Sequence, residues 1–365
     1  MPTHYDSKRL VHVGAERVSN VASTDFPGHY PDEDNSWNLD KFKEVRKGFV
    51  SPTNKYLNQR LARVETSGVD ASIANAFRRI LIAEVPTMAI ERVYVWDNTT
   101  VIVDEVLSHR LGLVPLNVDP ALFLYKTHPD EQATDRNTLV FKIDITCSRN
   151  PHPPPLKPNE DPSPSDLYIN HELLSKHMVW EPAGGQEQAL RGLPHPGPTN
   201  PNIVLAKLRP GQSVVMELHA VKGVGKDHAK FSPVATASYR LLPHIQILKP
   251  IPPHLGEKFQ KCFSPGVIKI DPDTGEVSVD EENVRKDSVS REVLRHPEFA
   301  DSVKLGRVRD FFMFNIETES AYPPERLFPE ALKVMREKIS IIRQAAEALK
   351  AQLEGTTADV EMVEA

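Results

Sequence analysis

The sequence predicts an α+β fold, with helical patterns toward both ends of the chain and mostly strand patterns between them. Apolar residues recur at helical spacing from residue 69 to residue 85, as in an amphipathic helix. Apolar and polar residues alternate over 139–147 and 213–221, and 303–318 places Phe312, Phe314 and Ile316 on one face, as in strands. A heptad pattern near the C-terminus predicts one further, long helix.

Size and composition indicate a folded protein without a membrane span. At 365 residues the chain is long enough for about two domains, and its 39% hydrophobic and 26% charged residues are typical of soluble proteins. No apolar run approaches the ~20 residues that cross a bilayer, and the polar N-terminus lacks a signal-peptide pattern. Cys147 and Cys262 are far apart, so we expect neither a disulfide framework nor a zinc site, and a reducing compartment.

The charge balance bears on the class of partner. The formal net charge is −6 and the pI is about 6.2. A protein whose main task is to bind nucleic acid more often carries a basic surface. The composition therefore argues against a chain that binds DNA or RNA on its own, although a local basic patch is compatible with it.

The first helix and the elements after it are the most informative stretch. Asp70 or Ser72 can cap the helix, and Pro86 ends it. A strand follows over 87–96, then a short helix from Asp104 that Gly112 closes in the left-handed conformation. The apolar face of the first helix consists of Ile73, Phe77, Ile80, Leu81 and Val85.

The middle of the chain is predicted to be mostly strands and loops. Proline-rich loops are expected over 151–164 and 182–201. Residues 202–209 and 213–221 read as a hairpin joined by Pro210-Gly211. Residues 1–49 are predicted to be an extended arm with one short strand, and a partly disordered tail is an equal alternative.

The segment 222–233, KGVGKDHAKFSP, contains the glycines and lysines of a phosphate-binding loop. Its spacing fits neither the Walker loop nor the dinucleotide fingerprint, so a solvated basic loop is the favoured interpretation. A nucleotide-binding enzyme using 222–230 stays as an alternative hypothesis. A nucleic-acid-binding adaptor is a third hypothesis, which salt-dependent retention of nucleic acid would test.

The last helix is predicted from about Glu330 to Glu354, with Gly355 ending it and an acidic tail at 356–365. The apolar residues of this helix form a narrow stripe, which we call the seam. Such a stripe either lines the protein's own core or meets a partner helix, and its narrow width favours a partner. The seam repeats at alternating spacings of three and four residues: Leu332, Met335, Ile339, Ile342, Ala346, Leu349 and Leu353.

Three blocks carry a family resemblance: 75–79 (NAFRR), 83–90 (AEVPTMAI) and 105–116 (EVLSHRLGLVPL). Together and in this order they resemble the signature of the alpha-type assembly subunits of RNA polymerase. The resemblance implies a discontinuous alpha-type dimerisation domain at 50–102 and 240–355, in which helices pack on a small antiparallel sheet, and a mostly β inserted domain at 103–239. It also implies that residues 1–49 are an N-terminal extension.

The family resemblance implies a non-catalytic subunit that pairs with a smaller alpha-like subunit. The pair would dock the second-largest catalytic subunit and small common subunits, in the nucleus including nucleolus and nucleoplasm, and would meet DNA only through the assembled enzyme. The implied heterodimer interface comprises Ile73, Phe77, Ile80, Leu81, Leu332, Met335, Ile339, Ile342 and Leu349. The implied contacts to the large subunit are Arg78, Arg79, His109, Arg110, Lys226, His228 and Lys230.

Differences between this chain and other branches of the alpha-type family indicate which branch it resembles most. The polymerase II form carries a four-cysteine zinc loop in its inserted domain, whereas this chain has only Cys147 there. The bacterial form carries a further C-terminal DNA-binding domain, for which nothing remains after Gly355. The pattern at 36–38, Ser-Trp-Asn, resembles the form shared by RNA polymerases I and III. Polymerase II and archaeal forms stay as alternatives.

The sequence contains no catalytic motif that we identify. It contains neither a Gly-x-Ser-x-Gly elbow nor a His-Glu-x-x-His metal motif. Asp104 and Glu105 are adjacent acids, but neighbouring residues on a helix point in different directions. We therefore expect no catalytic residue, metal or cofactor in this chain.

Overall fold

The computed structural model describes residues 10–21, 55–58, 60–128, 130–153 and 163–363. The pattern at 36–38 and residues 154–162 of the first proline-rich loop lie outside the described residues. Within them, no helix is both long and apolar enough to cross a membrane.

The described residues form six α-helices and sixteen strands, most of them short. The helices are α1 (Ala71–Ala83), α2 (Asp104–Gly112), α3 (Pro164–Leu167), α4 (Gln186–Ala189), α5 (Gly256–Lys261) and α6 (Pro324–Val363). The strands are β1 (Leu10–Val13), β2 (Val18–Ser19), β3 (Lys55–Asn58), β4 (Leu61–Ser67), β5 (Thr87–Asn98), β6 (Thr138–Thr146), β7 (Ser148–Arg149), β8 (Tyr168–Ile169), β9 (Glu172–Leu174), β10 (Val179–Glu181), β11 (Val204–Lys207), β12 (Ser213–Gly223), β13 (Val234–Ile247), β14 (Ile268–Ile270), β15 (Val277–Val279) and β16 (Val303–Thr318).

The chain forms two compact units, each built from separated segments. The first comprises the described parts of 1–55, 62–78 and 238–315, and the second those of 56–61, 79–237 and 316–365. Compactness does not test which segments pair with another subunit, so the domain boundaries given above stay a prediction.

The first unit is organised on β16, the longest strand. It lies in a sheet of order β2-β1-β16-β4-β3, and β13 also pairs with it. The predicted arm contributes two strands, β1 and β2, where the sequence predicts one, because β1 pairs antiparallel with both β16 and β2. In the hydrophobic core of this unit, the rings of Phe259 and Phe299 are both fully buried and meet edge to face with centroids 5.2 Å apart.

The second unit contains an antiparallel sheet of order β10-β6-β12-β5. Alternate residues of β12 face one core, because successive side chains of a strand point to opposite sides. Leu107 and Leu111 of α2 lie in the same core, which places α2 against the sheet. The inward residues of β12 are Val214, Met216, Leu218 and Ala220, all fully buried.

The α+β class is confirmed, and several element predictions hold. Helix α1 and strands β5, β6 and β16 lie where the periodicity predicts them. Asp70 caps α1, since its Oδ1 accepts the amide proton of Ser72 over 2.8 Å. Strands β14 and β15 pair antiparallel as a short hairpin.

Three local predictions are wrong. Strands β11 and β12 do not pair as a hairpin: β11 pairs with β9, because both edges of β12 are taken by β5 and β6. Gly112 belongs to α2, and the helix ends at Leu113 with a φ of −83°, without a left-handed residue. The second proline-rich loop contains a helical turn, α4, held by hydrogen bonds from Gln186 to the carbonyls of Asp135 and Thr138.

Candidate functional site

The last helix is longer at both ends than its sequence pattern predicts. It spans 40 residues, from Pro324 to Val363, with Pro329 inside it. Pro329 is the sixth residue of the helix and has no N–H, so the Glu325 carbonyl lacks its usual backbone donor there. Gly355 does not end the helix, since a glycine in a helix interior costs only about 1 kcal/mol. At ~1.5 Å per residue the helix is about 60 Å long.

Helix α6 is buried at its base and exposed beyond it. Leu327, Phe328 and Ala331 are fully buried, and Leu332 and Met335 are partly buried. Every side chain from 336 to 352 is exposed. Among the seam residues, Ile339 is 57%, Ile342 68% and Leu349 61% exposed. The outer part of the seam therefore does not line the chain's own core.

Helix α1 contributes less free surface than its apolar face predicts. Phe77, Ile80 and Leu81 are buried within the chain, whereas Ile73 is 39% exposed. A partner reaching α1 would therefore meet Ile73 first. Next to the end of α1, both carboxylate oxygens of Glu84 accept from Lys338 Nζ of α6 at 2.9 Å.

The arginine pair of α1 faces two environments. Arg78 is partly buried, and its Nε donates to Asn75 Oδ1 over 3.1 Å. Arg79 is exposed. Of the two, Arg79 is the more accessible to solvent.

Three of the predicted large-subunit contacts meet in one cleft of about 240 Å³ between β5 and α2. The rings of His109 and His228 lie edge to face with centroids 6.5 Å apart. Lys230 forms an ion pair with Glu91 at 2.5 Å, and the backbone amide of Lys230 donates to His228 Nδ1. The cationic charge of this cleft is thus partly balanced within the chain.

Two other predicted contacts lie beside this cleft with different surroundings. The guanidinium of Arg110 donates to the backbone carbonyls of Val204 and Leu205, which ties α2 to β11. Lys226 is exposed. Both side chains are exposed, and the Arg110 guanidinium is held in place by its two carbonyl partners.

The glycines and the first lysine of the 222–230 segment serve packing. A Cβ atom on Gly223 would lie 2.7 Å from the Phe231 ring, and one on Gly225 would lie 2.4 Å from the Ile82 carbonyl oxygen. Lys222 Nζ donates to the Phe123 carbonyl over 3.1 Å and lies 4.7 Å from the centroid of the Tyr125 ring. Burial lowers the pKa of Lys222. These contacts account for the residues that resemble a phosphate cradle.

The described residues contain no group of three or more His, Cys, Asp or Glu side chains able to hold a metal ion. Cys147 and Cys262 are both buried as free thiols. Burial raises the pKa of each thiol, which keeps both in the protonated, unreactive form.

Sequence reasoning missed a charged cluster at the base of α6. Arg326 Nη1 and Nη2 donate to the two carboxylate oxygens of Asp119 at 2.5 and 3.3 Å, and its Nε donates to Glu330 at 3.0 Å. Burial alone would raise the pKa of Asp119, but hydrogen bonds from Arg326 and the Ala121 amide outweigh it and hold that pKa below its ordinary value. Asp119 and Arg326 are 207 residues apart, so no local pattern reveals the pair.

Comparisons of the sequence with known proteins point to one family. The family model described as the RNA polymerase Rpb3/Rpb11 dimerisation domain matches residues 63–339. The DNA-directed RNA polymerases I and III subunit RPAC1 of Saccharomyces cerevisiae is 47% identical, over 92% of this chain and 97% of its own length. The Homo sapiens protein of that name is 44% identical over 91% and 94%, and that of Dictyostelium discoideum 38% over 91% and 91%. The chain therefore belongs to the RNA polymerase Rpb3/Rpb11 dimerisation-domain family.

Proposed function

We propose that this chain is the larger alpha-like subunit of RNA polymerases I and III, a non-catalytic subunit that assembles the enzymes transcribing rRNA, tRNA and 5S rRNA. The relatives that bear the RPAC1 name cover more than nine-tenths of the chain, which supports this assignment. The observation that carries the assembly role is the exposed apolar seam of α6 in a member of a dimerisation family.

The partner of the seam is a smaller alpha-like subunit. Burying a large aliphatic side chain contributes about 1.5–3 kcal/mol, so Ile339, Ile342 and Leu349 together supply a substantial part of the affinity. Ordering and association oppose this gain, so the whole sum does not appear as binding free energy. Leu332 and Met335 continue the seam toward the base of α6, and α1 adds Ile73, backed by Phe77, Ile80 and Leu81.

The pairing module in this proposal is the discontinuous domain at 50–102 and 240–355, with 103–239 as the inserted domain. The heterodimer then docks the second-largest catalytic subunit and small common subunits. Arginine suits such a polar interface, because its planar fork can pair with carboxylates and backbone carbonyls. The docking surface comprises Arg78, Arg79, His109, Arg110, Lys226, His228 and Lys230.

Among the docking residues, Arg79 and Lys226 have the freest cationic side chains. Arg110 supports the surface from behind, since its guanidinium already binds carbonyls of its own chain. The net charge of −6 favours contact with DNA only through the assembled polymerase.

A polymerase I and III subunit works in the nucleus. We place this chain in the nucleolus with polymerase I and in the nucleoplasm with polymerase III. The alternative of a polymerase II subunit is disfavoured because the inserted domain has a single cysteine, Cys147, where four would be needed for a zinc loop.

Co-expression with a smaller alpha-like subunit from the same organism tests the proposal. We expect a one-to-one heterodimer by mass determination, and aggregation of this chain when it is expressed alone, because the seam is then exposed. A stable monomer that ignores the partner would contradict the proposal. Thermal stabilisation by a nucleoside triphosphate would instead favour the enzyme hypothesis for 222–230.

A further inference from the structure

Besides its buried apolar side chains, the base of α6 has a guanidinium that uses all three of its nitrogens to bind the rest of the second unit and the helix itself. Arg326 is the third residue of the helix. Its Nη1 and Nη2 bind both oxygens of Asp119, and its Nε binds Glu330 one turn further along α6. A guanidinium that binds two carboxylates in this way is fixed in its plane as well as in its position.

The surroundings of this ion cluster restrain it further. The ring of Tyr322 lies 5.0 Å from the guanidinium carbon and is almost fully buried. Asp119 caps a short 3-10 turn and accepts the Ala121 amide at 2.9 Å, so its carboxylate cannot rotate freely. Lys333 donates to Glu330 at 2.9 Å, which balances the second acid.

These restraints lie in the first turns of α6, before the helix becomes fully exposed at residue 336. Ile342 lies 16 residues beyond Arg326, which is about 24 Å along the axis. A tilt of 10° at the base would displace Ile342 by about 4 Å, roughly the size of a side chain. A helix seam pairs with its partner only when its knobs meet the partner's holes, so such a tilt would change the packing.

Building on the proposed function, we infer that Arg326 is a positioning residue for subunit pairing. Through Asp119 it fixes the direction in which α6 projects, and so presents the exposed seam already oriented for the partner helix. Preorganisation of this kind raises affinity because the helix is ordered before binding. Arg326 itself need not touch the partner.

The test compares two arginines of α6 that each pair with a glutamate one turn later. Arg326 pairs with Glu330 and also with Asp119, whereas Arg343 pairs with Glu347 alone at 2.8 Å. Arg326→Ala and Arg343→Ala remove the same charge from the same helix. We expect Arg326→Ala to raise the dissociation constant for the smaller alpha-like subunit at least tenfold, and Arg343→Ala to change it less than twofold.

A second readout separates positioning from folding and from direct contact. Spin labels at Lys142, on β6, and at Gln344, on α6, report the direction of the helix in the unpaired full-length chain, kept below the concentration at which it aggregates. We expect one narrow distance distribution for the wild type and a broad one for Arg326→Ala. Arg326→Lys keeps the charge without the fork, and we expect intermediate values in both measurements even if Arg326→Ala does not fold.

The outcomes separate the two proposals. Wild-type affinity in both the Ala and the Lys variants at 326 would overturn the positioning role while leaving pairing intact. A loss of affinity with an unchanged distance distribution would also overturn it, because Arg326 would then act by touching the partner. Failure of the wild-type chain to pair would overturn the proposed function itself.

Discussion

Gly225 lies against the end of α1, so close to Ile82 that a Cβ atom would stand 2.4 Å from the Ile82 carbonyl oxygen. The next amide, that of Lys226, donates to the Ala83 carbonyl over 2.7 Å. The segment after β12 thus binds the Ala83 carbonyl, one of those that the end of a helix leaves without an intrahelical partner. Gly225 is needed for this approach of two backbones.

Gly225→Ala should therefore destabilise the protein by about 1–3 kcal/mol, because the clash is with backbone that cannot rotate away. The matched control is Gly197→Ala, whose Cβ would meet nothing closer than 3.9 Å. Urea unfolding of the heterodimer measures both. Equal unfolding free energies for the two variants would show that the approach is not restrictive.

Ile342→Asp should abolish pairing, because a carboxylate cannot be buried unpaired in an apolar seam. Its neighbour Ile341 is the same residue type, is 65% exposed and lies off the seam, so Ile341→Asp is the matched control. We expect a loss of at least 100-fold in affinity for the first, which is about 3 kcal/mol, and less than tenfold for the second. Equal effects would contradict the assigned seam.

Arg78→Glu/Arg79→Glu should spare pairing and weaken docking of the heterodimer to the second-largest subunit at least tenfold, because like charges then meet across a polar interface. Arg191→Glu/Lys207→Glu reverses two exposed cations outside the proposed surface and should leave docking unchanged. Co-purification of the three subunits measures this. Loss of pairing in the first variant would mean that the two faces of α1 are assigned the wrong way round.

Asp280 should make stability depend on pH in the acid range. The hydrogen bond from Lys269, at 2.8 Å, is the main cause that lowers the pKa of Asp280 to about 2. A carboxylate whose pKa is lower in the folded state stabilises it fully above its ordinary pKa, near 4, and loses that contribution as pH falls toward 2. The contribution is therefore present at neutral pH.

The thermal midpoint of the wild type should then fall more steeply between pH 5 and pH 2.5 than that of Asp280→Asn. Glu281→Gln, at an exposed neighbouring acid, is the control and should follow the wild type. Parallel curves for the wild type and Asp280→Asn would refute this role for Asp280.

Local patterns predicted the elements whose apolar residues recur at the spacing of a helix or a strand. Phe77 and Ile80 recur at helical spacing and are buried, and Phe312 and Phe314 alternate along β16 and are buried. The hairpin prediction failed because turn chemistry at Pro210-Gly211 specifies a reversal of the chain but not a partner. The strand partner of β11 was decided by competition for the edges of β12.

The sequence by itself determined the family, the α+β class and the apolar seam of α6, because these follow from residue types at fixed short spacings. Only the tertiary structure decided which seam residues stay exposed, and that Arg326 meets Asp119 across 207 residues. It also decided that Lys222 and Gly225 serve packing. Such contacts depend on which distant parts of the chain meet in the fold, and short spacings along the sequence carry no information about that.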